Sequence, residues 1–197
     1  MPECPLKQYT KCENPNNVKV RKTPFEGLLL LEPKVFEDAR GYFYESFNQN
    51  SFWEIGIDTE FVQDNQSYSR KGVLRGLHFQ KPPFAQTKLV RVLSGRIQDV
   101  VVDLRKEQST FKKYFSIELF SENKQQLLVP KGFAHGFLVL SEFAEVLYKC
   151  DEYYHPETEA GIIYNDPEFG IDWKLNKSAI VVSKKDQQNP TFTKTEF

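Results

Sequence analysis

The chain has 197 residues, 40% of them hydrophobic, with 17 Phe and 9 Tyr, which argues for one packed globular domain rather than a disordered chain. With 26 Lys+Arg against 27 Asp+Glu it has no global basic field to hold nucleic acid or a membrane surface, so any anion site must be built locally. The longest apolar run, Gly27 to Leu31, is far too short to span a bilayer, and the Met1-Pro2-Glu3-Cys4 start lacks the apolar core of a signal peptide. Three cysteines, Cys4, Cys12 and Cys150, show no CxxC spacing and leave one unpaired, so a reducing, cytoplasmic setting is expected.

Residues 1–18 are polar and carry Asn14-Pro15-Asn16-Asn17, which predicts a flexible N-terminal arm before a single domain over 19–197. Strand signals dominate from there. Leu28 to Leu31 is a short apolar run closed by Glu32-Pro33. Gly41-Tyr42-Phe43-Tyr44-Glu45-Ser46-Phe47 is aromatic and reads as a strand. Ser51-Phe52-Trp53-Glu54 has capping-box spacing and predicts a short helix starting there and stopping near Gly56. Lys88 to Leu93 and Arg96 to Leu104 flank Ser94-Gly95, which predicts a hairpin. Phe115 to Leu119 alternates apolar and polar residues, and Gln126 to Val129, Gly136 to Leu140 and Ala144 to Cys150 continue the series. Short strands separated by turns every 8–12 residues or so predict an all-β sandwich or jelly roll.

The densest chemistry lies in Gly72-Val73-Leu74-Arg75-Gly76-Leu77-His78-Phe79-Gln80, followed by Lys88 ten residues after His78. Side chains alternate across a strand, so His78 and Gln80 share one face and Arg75, Leu77 and Phe79 the other, unless Gly76 breaks the register. The chain has three histidines. His78 and His135 sit in apolar strand-like segments, where an ionisable ring needs a reason, whereas His155 adjoins Pro156 in a turn. Bland readings stand beside these. His135, between Phe133-Ala134 and Gly136-Phe137, suits a satisfied core histidine, and Lys88 an edge-strand gatekeeper. Tyr148 shares its face with Ala144, Val146 and Cys150, an apolar set that reads as a buried structural tyrosine. Arg40 beside Gly41 and Asn165-Asp166-Pro167 read as turns, and Lys184-Lys185 as a solvated pair.

Pro130-x-Gly132-x-x-His135 resembles the second half-motif of the cupins, which are double-stranded β-helix jelly rolls. Metal cupins supply an earlier His-x-His and a glutamate, but the comparable place here reads His78-Phe79-Gln80. A catalytic metal usually takes three protein ligands, so a metal-free cupin is expected. A longer ordered set is more specific. Asp38-x-Arg40-Gly41-x-Phe43-x-Glu45, Gln63-Asp64-Asn65, Leu74 to Gln80, Lys88-Leu89-Val90-Arg91-Val92, Gly132-Phe133-Ala134-His135-Gly136-Phe137, Tyr148-Lys149-Cys150 and Asn165-Asp166-Pro167 follow one another. Together they resemble the dTDP-4-dehydrorhamnose 3,5-epimerase family, from about residue 24 to about residue 192.

That resemblance implies a cupin jelly roll with short peripheral helices. It also implies cofactor-independent epimerisation of a dTDP-linked 4-keto-6-deoxyhexose. The ketone acidifies the protons at C3 and C5, so the reaction needs a base, an acid across the ring and a cation for the enolate oxygen. His78 fits the base, with a reference pKa of about 6.5. Asp186 in Ser183-Lys184-Lys185-Asp186 corresponds to the family's partner carboxylate, with Asp166 as second choice. Tyr148 is implied as the acid and Lys88 as the enolate's cation. Arg40 and Arg75 are implied as diphosphate anchors, where a guanidinium fork fits phosphate oxygens. Glu45, Gln63 and Asn65 offer contacts to the base and its sugar, Tyr42 and Phe43 a wall for the base, and His135, Tyr154, Glu159 and Lys185 further substrate contacts. The family completes the site across a homodimer, through the segment of Arg40 and Glu45. The same residues also suit a single-site C3 or C5 epimerase on a related nucleotide sugar. A metal-dependent cupin isomerase or oxygenase and a non-catalytic sugar-nucleotide binding module are the rival classes. Binding alone needs no acid–base pair, which counts against the module.

Overall fold

The structure, a computed structural model, describes residues 18–195, so the expected arm, apart from Val18, and Cys4 and Cys12 lie outside the described residues. The first strands are β1 (Lys19–Lys22), β2 (Leu29–Glu32), β3 (Phe36–Asp38) and β4 (Gly41–Phe43). Helix α1 (Gln49–Glu54) follows, then β5 (Gln63–Arg70), β6 (Val73–Gln80), β7 (Lys88–Ser94) and β8 (Arg96–Asp103). The last large strands are β9 (Tyr114–Phe120), β10 (Gln126–Val129), β11 (Phe133–Val139) and β12 (Phe143–Cys150). The short β13 (Glu159–Gly161), β14 (Val181–Val182) and helix α2 (Lys184–Gln187) close the chain.

Two sheets carry the fold. One runs β1-β2-β10-β7-β12-β5 and the other β13-β6-β11-β8-β9, with β14 parallel to β6. This is the expected jelly roll. The main core lies between the sheets and joins Val90 and Val92 of β7, Ala144 and Val146 of β12, Ile97 and Val101 of β8, and Phe133, Phe137 and Val139 of β11. Burying each of the Val, Ile and Phe side chains among these contributes about 1.5–3 kcal/mol. The outer face of the second sheet is covered as well, because Val100, Val102, Leu77 and Ala134 pack on Ile162, Phe169 and Phe192 of the C-terminal segment. Strands β8 and β11 are therefore buried on both faces, which suits the apolar runs Val100 to Val102 and Gly136 to Val139.

Three local expectations are corrected. β7 and β8 do not form a hairpin, since they belong to different sheets. Ser94-Gly95 is a corner where the chain crosses between sheets. Gly95 takes φ +80°, and a Cβ there would lie 2.0 Å from the Phe143 carbonyl oxygen, so backbone crowding demands glycine. Helix α1 starts earlier than Ser51, because the Asn48 side chain accepts from the Asn50 and Ser51 amides. The Ser51 hydroxyl donates instead to Glu45 at 3.2 Å. The aromatic strand stops at Phe43, and Phe47 leaves it to pack edge-on against Phe52 and Phe61.

Candidate active site

The mouth of the inter-sheet space is a cavity of about 640 Å³ where β5, β7 and β12 face β6 and β11. It exists because the interior row becomes polar at that end. On β12 the row Ala144, Val146 is continued by Tyr148, and on β7 the row Val92, Val90 is continued by Lys88. The face that parity assigns to Tyr148 is thus the core face, and the same face lines the cavity.

Gly76 breaks the register of β6, as its presence inside a strand allowed. Before it, Val73 and Arg75 point inward; after it His78 does, while Leu77 and Phe79 pack on the outer cluster. Gly76 takes φ +136°, and a Cβ would stand 2.5 Å from the Gly136 Cα on β11. The β6–β11 pairing shifts register at this point, between His135 and Phe137. A bulge between two glycines therefore places a guanidinium and an imidazole on one wall.

His78 Nε2 lies 2.8 Å from Asp186 Oδ1, and the Gly76 amide donates to the other carboxylate oxygen at 3.4 Å. Asp186 is carried by α2, which the Ser183 hydroxyl caps by accepting from the Asp186 amide at 3.0 Å. Burial works to raise the Asp186 pKa, but the hydrogen bond and charge of His78 outweigh it and hold the carboxyl below its ordinary value. The first-choice partner of His78 is thus in contact with it, and the second choice is not. Asp166 is buried but accepts from the Glu168 and Phe192 amides, where it pins the C-terminal segment.

Across the cavity, Lys88 Nζ stands 5.9 Å from the centre of the Tyr148 ring. Lys88 forms no ion pair among the described residues. Burial lowers its pKa, against the opposing pull of Cys150, Asp99 and Glu159. Burial also raises the Tyr148 phenol, with Arg75 opposing. Arg75 donates through Nε to the Ser69 hydroxyl at 3.0 Å, which orients the fork. Asn65 lines the cavity beside Tyr148, its cross-strand partner, and donates to the buried Cys150 sulfur at 3.7 Å. Burial pushes that thiol up to about 11, so it stays neutral near pH 7.

His135 lies opposite His78 on β11 and lines the same cavity. Its Nε2 is 2.9 Å from Asp99 Oδ2, and Asp99 is fully buried. Asp99 was missed from sequence. The signal was a carboxylate next to the Val100 to Val102 run, two residues from Ile97 and Val101 on the core face. At the rim, Glu159 accepts from Tyr154 Oη and Lys185 Nζ, each at 2.6 Å. Burial works to raise the Glu159 pKa, but these two donors and the nearby His78 hold it below its ordinary value. Gln63 donates to Asn65 Oδ1 at 3.1 Å and accepts from the Tyr154 amide.

Arg40 and Glu45 are not brought to this cavity. Arg40 lies on the exposed β3–β4 hairpin against Asp38, with Tyr42 and Phe43 beside it 59% and 71% exposed. Glu45 accepts from Asn48 and Ser51 at the start of α1. Among the described residues no group of three His, Cys, Asp or Glu is placed to hold a metal ion. His155 lies outside the cavity, stacked on Phe84 with ring centres 3.6 Å apart. No helix of the described residues is long and apolar enough to cross a membrane.

A jelly roll with a His–Asp pair facing a phenol and an ammonium defines a cupin-type enzyme of the isomerase class. The sequence model of the family described as dTDP-4-dehydrorhamnose 3,5-epimerase matches residues 22–194. The chain belongs to the dTDP-4-dehydrorhamnose 3,5-epimerase family. It is 52% identical over 172 residues to the dTDP-4-dehydrorhamnose 3,5-epimerase of Escherichia coli (strain K12), covering 87% of this chain and 92% of that protein. The crystal structure of the Elizabethkingia anophelis NUHP1 enzyme of that name is 50% identical with a TM-score of 0.88, covering 92% of this chain and 100% of that one. The dTDP-6-deoxy-D-glucose-3,5-epimerase of Legionella pneumophila Philadelphia 1, solved with dTDP-4-keto-L-rhamnose, is 46% identical with a TM-score of 0.87 and covers 91% and 95% of the two chains.

Proposed function

We propose that this chain converts dTDP-4-dehydro-6-deoxy-D-glucose to dTDP-4-dehydro-L-rhamnose by removing and returning protons at C3 and C5, as one domain over residues 19–197. The observation that carries this is the His78–Asp186 pair facing Lys88 and Tyr148 across one cavity. Asp186 accepts from the Nε2 proton of His78, which leaves the lone pair on Nδ1 for the substrate proton, and the ionised carboxylate stabilises the imidazolium that results. The charged Lys88 stabilises the oxyanion of the enolate; its apolar seat strengthens that interaction. Tyr148, protonated at neutral pH, returns a proton to the opposite face of the ring. The ketone is the electron sink, so the step balances with no oxidant or cofactor.

Arg75 takes the diphosphate, and Asn65, Gln63, His135, Glu159, Tyr154 and Lys185 contact the rest of the ligand. Arg40 and Glu45 serve the cavity of a second copy, with Tyr42 and Phe43 against its base. The support for that reading is an exposed aromatic hairpin, carrying a guanidinium, that does not line the cavity of its own chain. The test is turnover of dTDP-4-dehydro-6-deoxy-D-glucose with a reductase that traps the L-rhamno product. The wild type forms it and His78→Ala does not; equal formation by both would sink the assignment.

A further inference from the structure

We propose that Lys124 is a positioning residue that holds the β3–β4 hairpin at the angle from which it serves the cavity of a second copy; this rests on the function proposed above. Lys124 lies in the turn between β9 and β10, and its Nζ stands 3.8 Å from the centre of the Tyr42 ring on β4. An ammonium so placed is attracted by the negative face of the ring. The lysine is not a loose surface chain. It is half-buried and takes φ +54°, in the left-handed region that is costly for a residue with a Cβ. Such a conformation persists where the surroundings fix it. Here Asn123 Oδ1 accepts from the Gln125 amide at 3.1 Å, and Asn123 Nδ2 donates to Gln125 Oε1 at 2.9 Å. Gln125 Nε2 in turn donates to Glu32 of β2 at 2.8 Å. The turn that carries the ammonium is thereby tied to the first sheet.

The chain leaving the hairpin is held by that same sheet at every second residue. Arg91 of β7 donates to Tyr44 Oη at 3.2 Å, and Gln126 of β10 donates to the Ser46 carbonyl at 2.7 Å. Lys124 on Tyr42 is the third hold, and it grips a residue of the hairpin itself. Cross-strand pairing sets Tyr42 opposite Glu37 and Phe43 opposite Phe36, and directly opposed residues share a face. Phe36 and Phe43 therefore form the other face, where Phe43 is 71% exposed. The clamp takes one face of the hairpin and leaves the phenylalanine pair free. A two-stranded ribbon is marginal by itself, so without the clamp its tip, Arg40 included, would sweep a range of angles that ligand binding must then order.

The test is steady-state turnover of dTDP-4-dehydro-6-deoxy-D-glucose by Lys124→Met, which keeps the stem and loses the charge, beside Lys124→Arg, Tyr42→Leu and Arg40→Ala. Lys124→Met raises KM about three-fold, the size of one exposed cation–ring contact, with kcat unchanged. Lys124→Arg keeps the wild-type KM. In a Tyr42→Leu background Lys124→Met raises KM no further, because it acts through that ring. An unmoved KM in Lys124→Met, with Arg40→Ala inactive, overturns the inference. A loss of kcat, a failure of Lys124→Arg to rescue, or a further rise in KM without the ring does the same. If Arg40→Ala is fully active, the hairpin serves no second site, and the function proposed for it falls first.

Discussion

At the residue scale, the chemistry turns on proton positions. Asp186 fixes one tautomer of His78, and an amide there would accept or donate indifferently. Asp186→Asn should keep the fold and lower kcat by about 10³-fold or more, measured in the trapped-product assay. Near-normal kcat would remove Asp186 from the mechanism. Lys88 gives a prediction in pH. Its pKa is lowered by burial, so the ammonium is lost below the ordinary lysine value, and the alkaline limb of kcat/KM should fall there. Lys88→Arg, if active, moves that limb to higher pH; an unmoved limb would assign it to another group. The linkage follows the same sign. The unfolded state holds this proton more tightly, so stability rises as pH climbs from the folded value toward the unfolded one. Part of this site was legible in the sequence because His78 and Arg75 interrupt an apolar strand, whereas the roles of Tyr148 and Lys88 came from the family resemblance, their strand positions alone suiting a structural tyrosine and an edge lysine. Asp99 was not: a buried carboxylate gains meaning only from what lies across the sheet.

At the element scale, the β6–β11 bulge decides whether Arg75 and His78 share a wall. Alternation alone would place them on opposite faces. The glycine signalled a break without giving its direction, which depends on Gly136 of a strand about 60 residues away. Gly76→Ala meets both a left-handed φ and a 2.5 Å clash with backbone. It should cost about 3 kcal/mol or more, read as a lower midpoint in denaturant. An unchanged midpoint would show that β6 can relax without the bulge. The corner at Ser94-Gly95 teaches the same lesson. A turn dipeptide between two apolar runs is shared by hairpins and sheet crossings, and only the packing of Val90 and Ile97 on one core distinguishes them. Strand β5 escaped notice because its inward row, Gln63, Asn65, Ser67 and Ser69, is polar. It lines a cavity rather than a core.

At the scale of the whole molecule, the claim is that each cavity is completed by a partner's hairpin. Mixing two inactive variants under conditions that exchange subunits tests it. His78→Ala keeps a good hairpin and a dead cavity; Arg40→Ala keeps a good cavity and a defective hairpin. Activity should reappear on mixing, because a mixed dimer holds one intact site. Its failure to reappear, with exchange demonstrated, would confine the site to one chain. The most direct test of the chemistry is incubation with dTDP-4-dehydro-6-deoxy-D-glucose in deuterated water, following C3 and C5 by NMR. Deuterium should appear at both carbons with wild type and at neither with His78→Ala. Deuterium at one carbon alone, or at neither with the wild type, would contradict it.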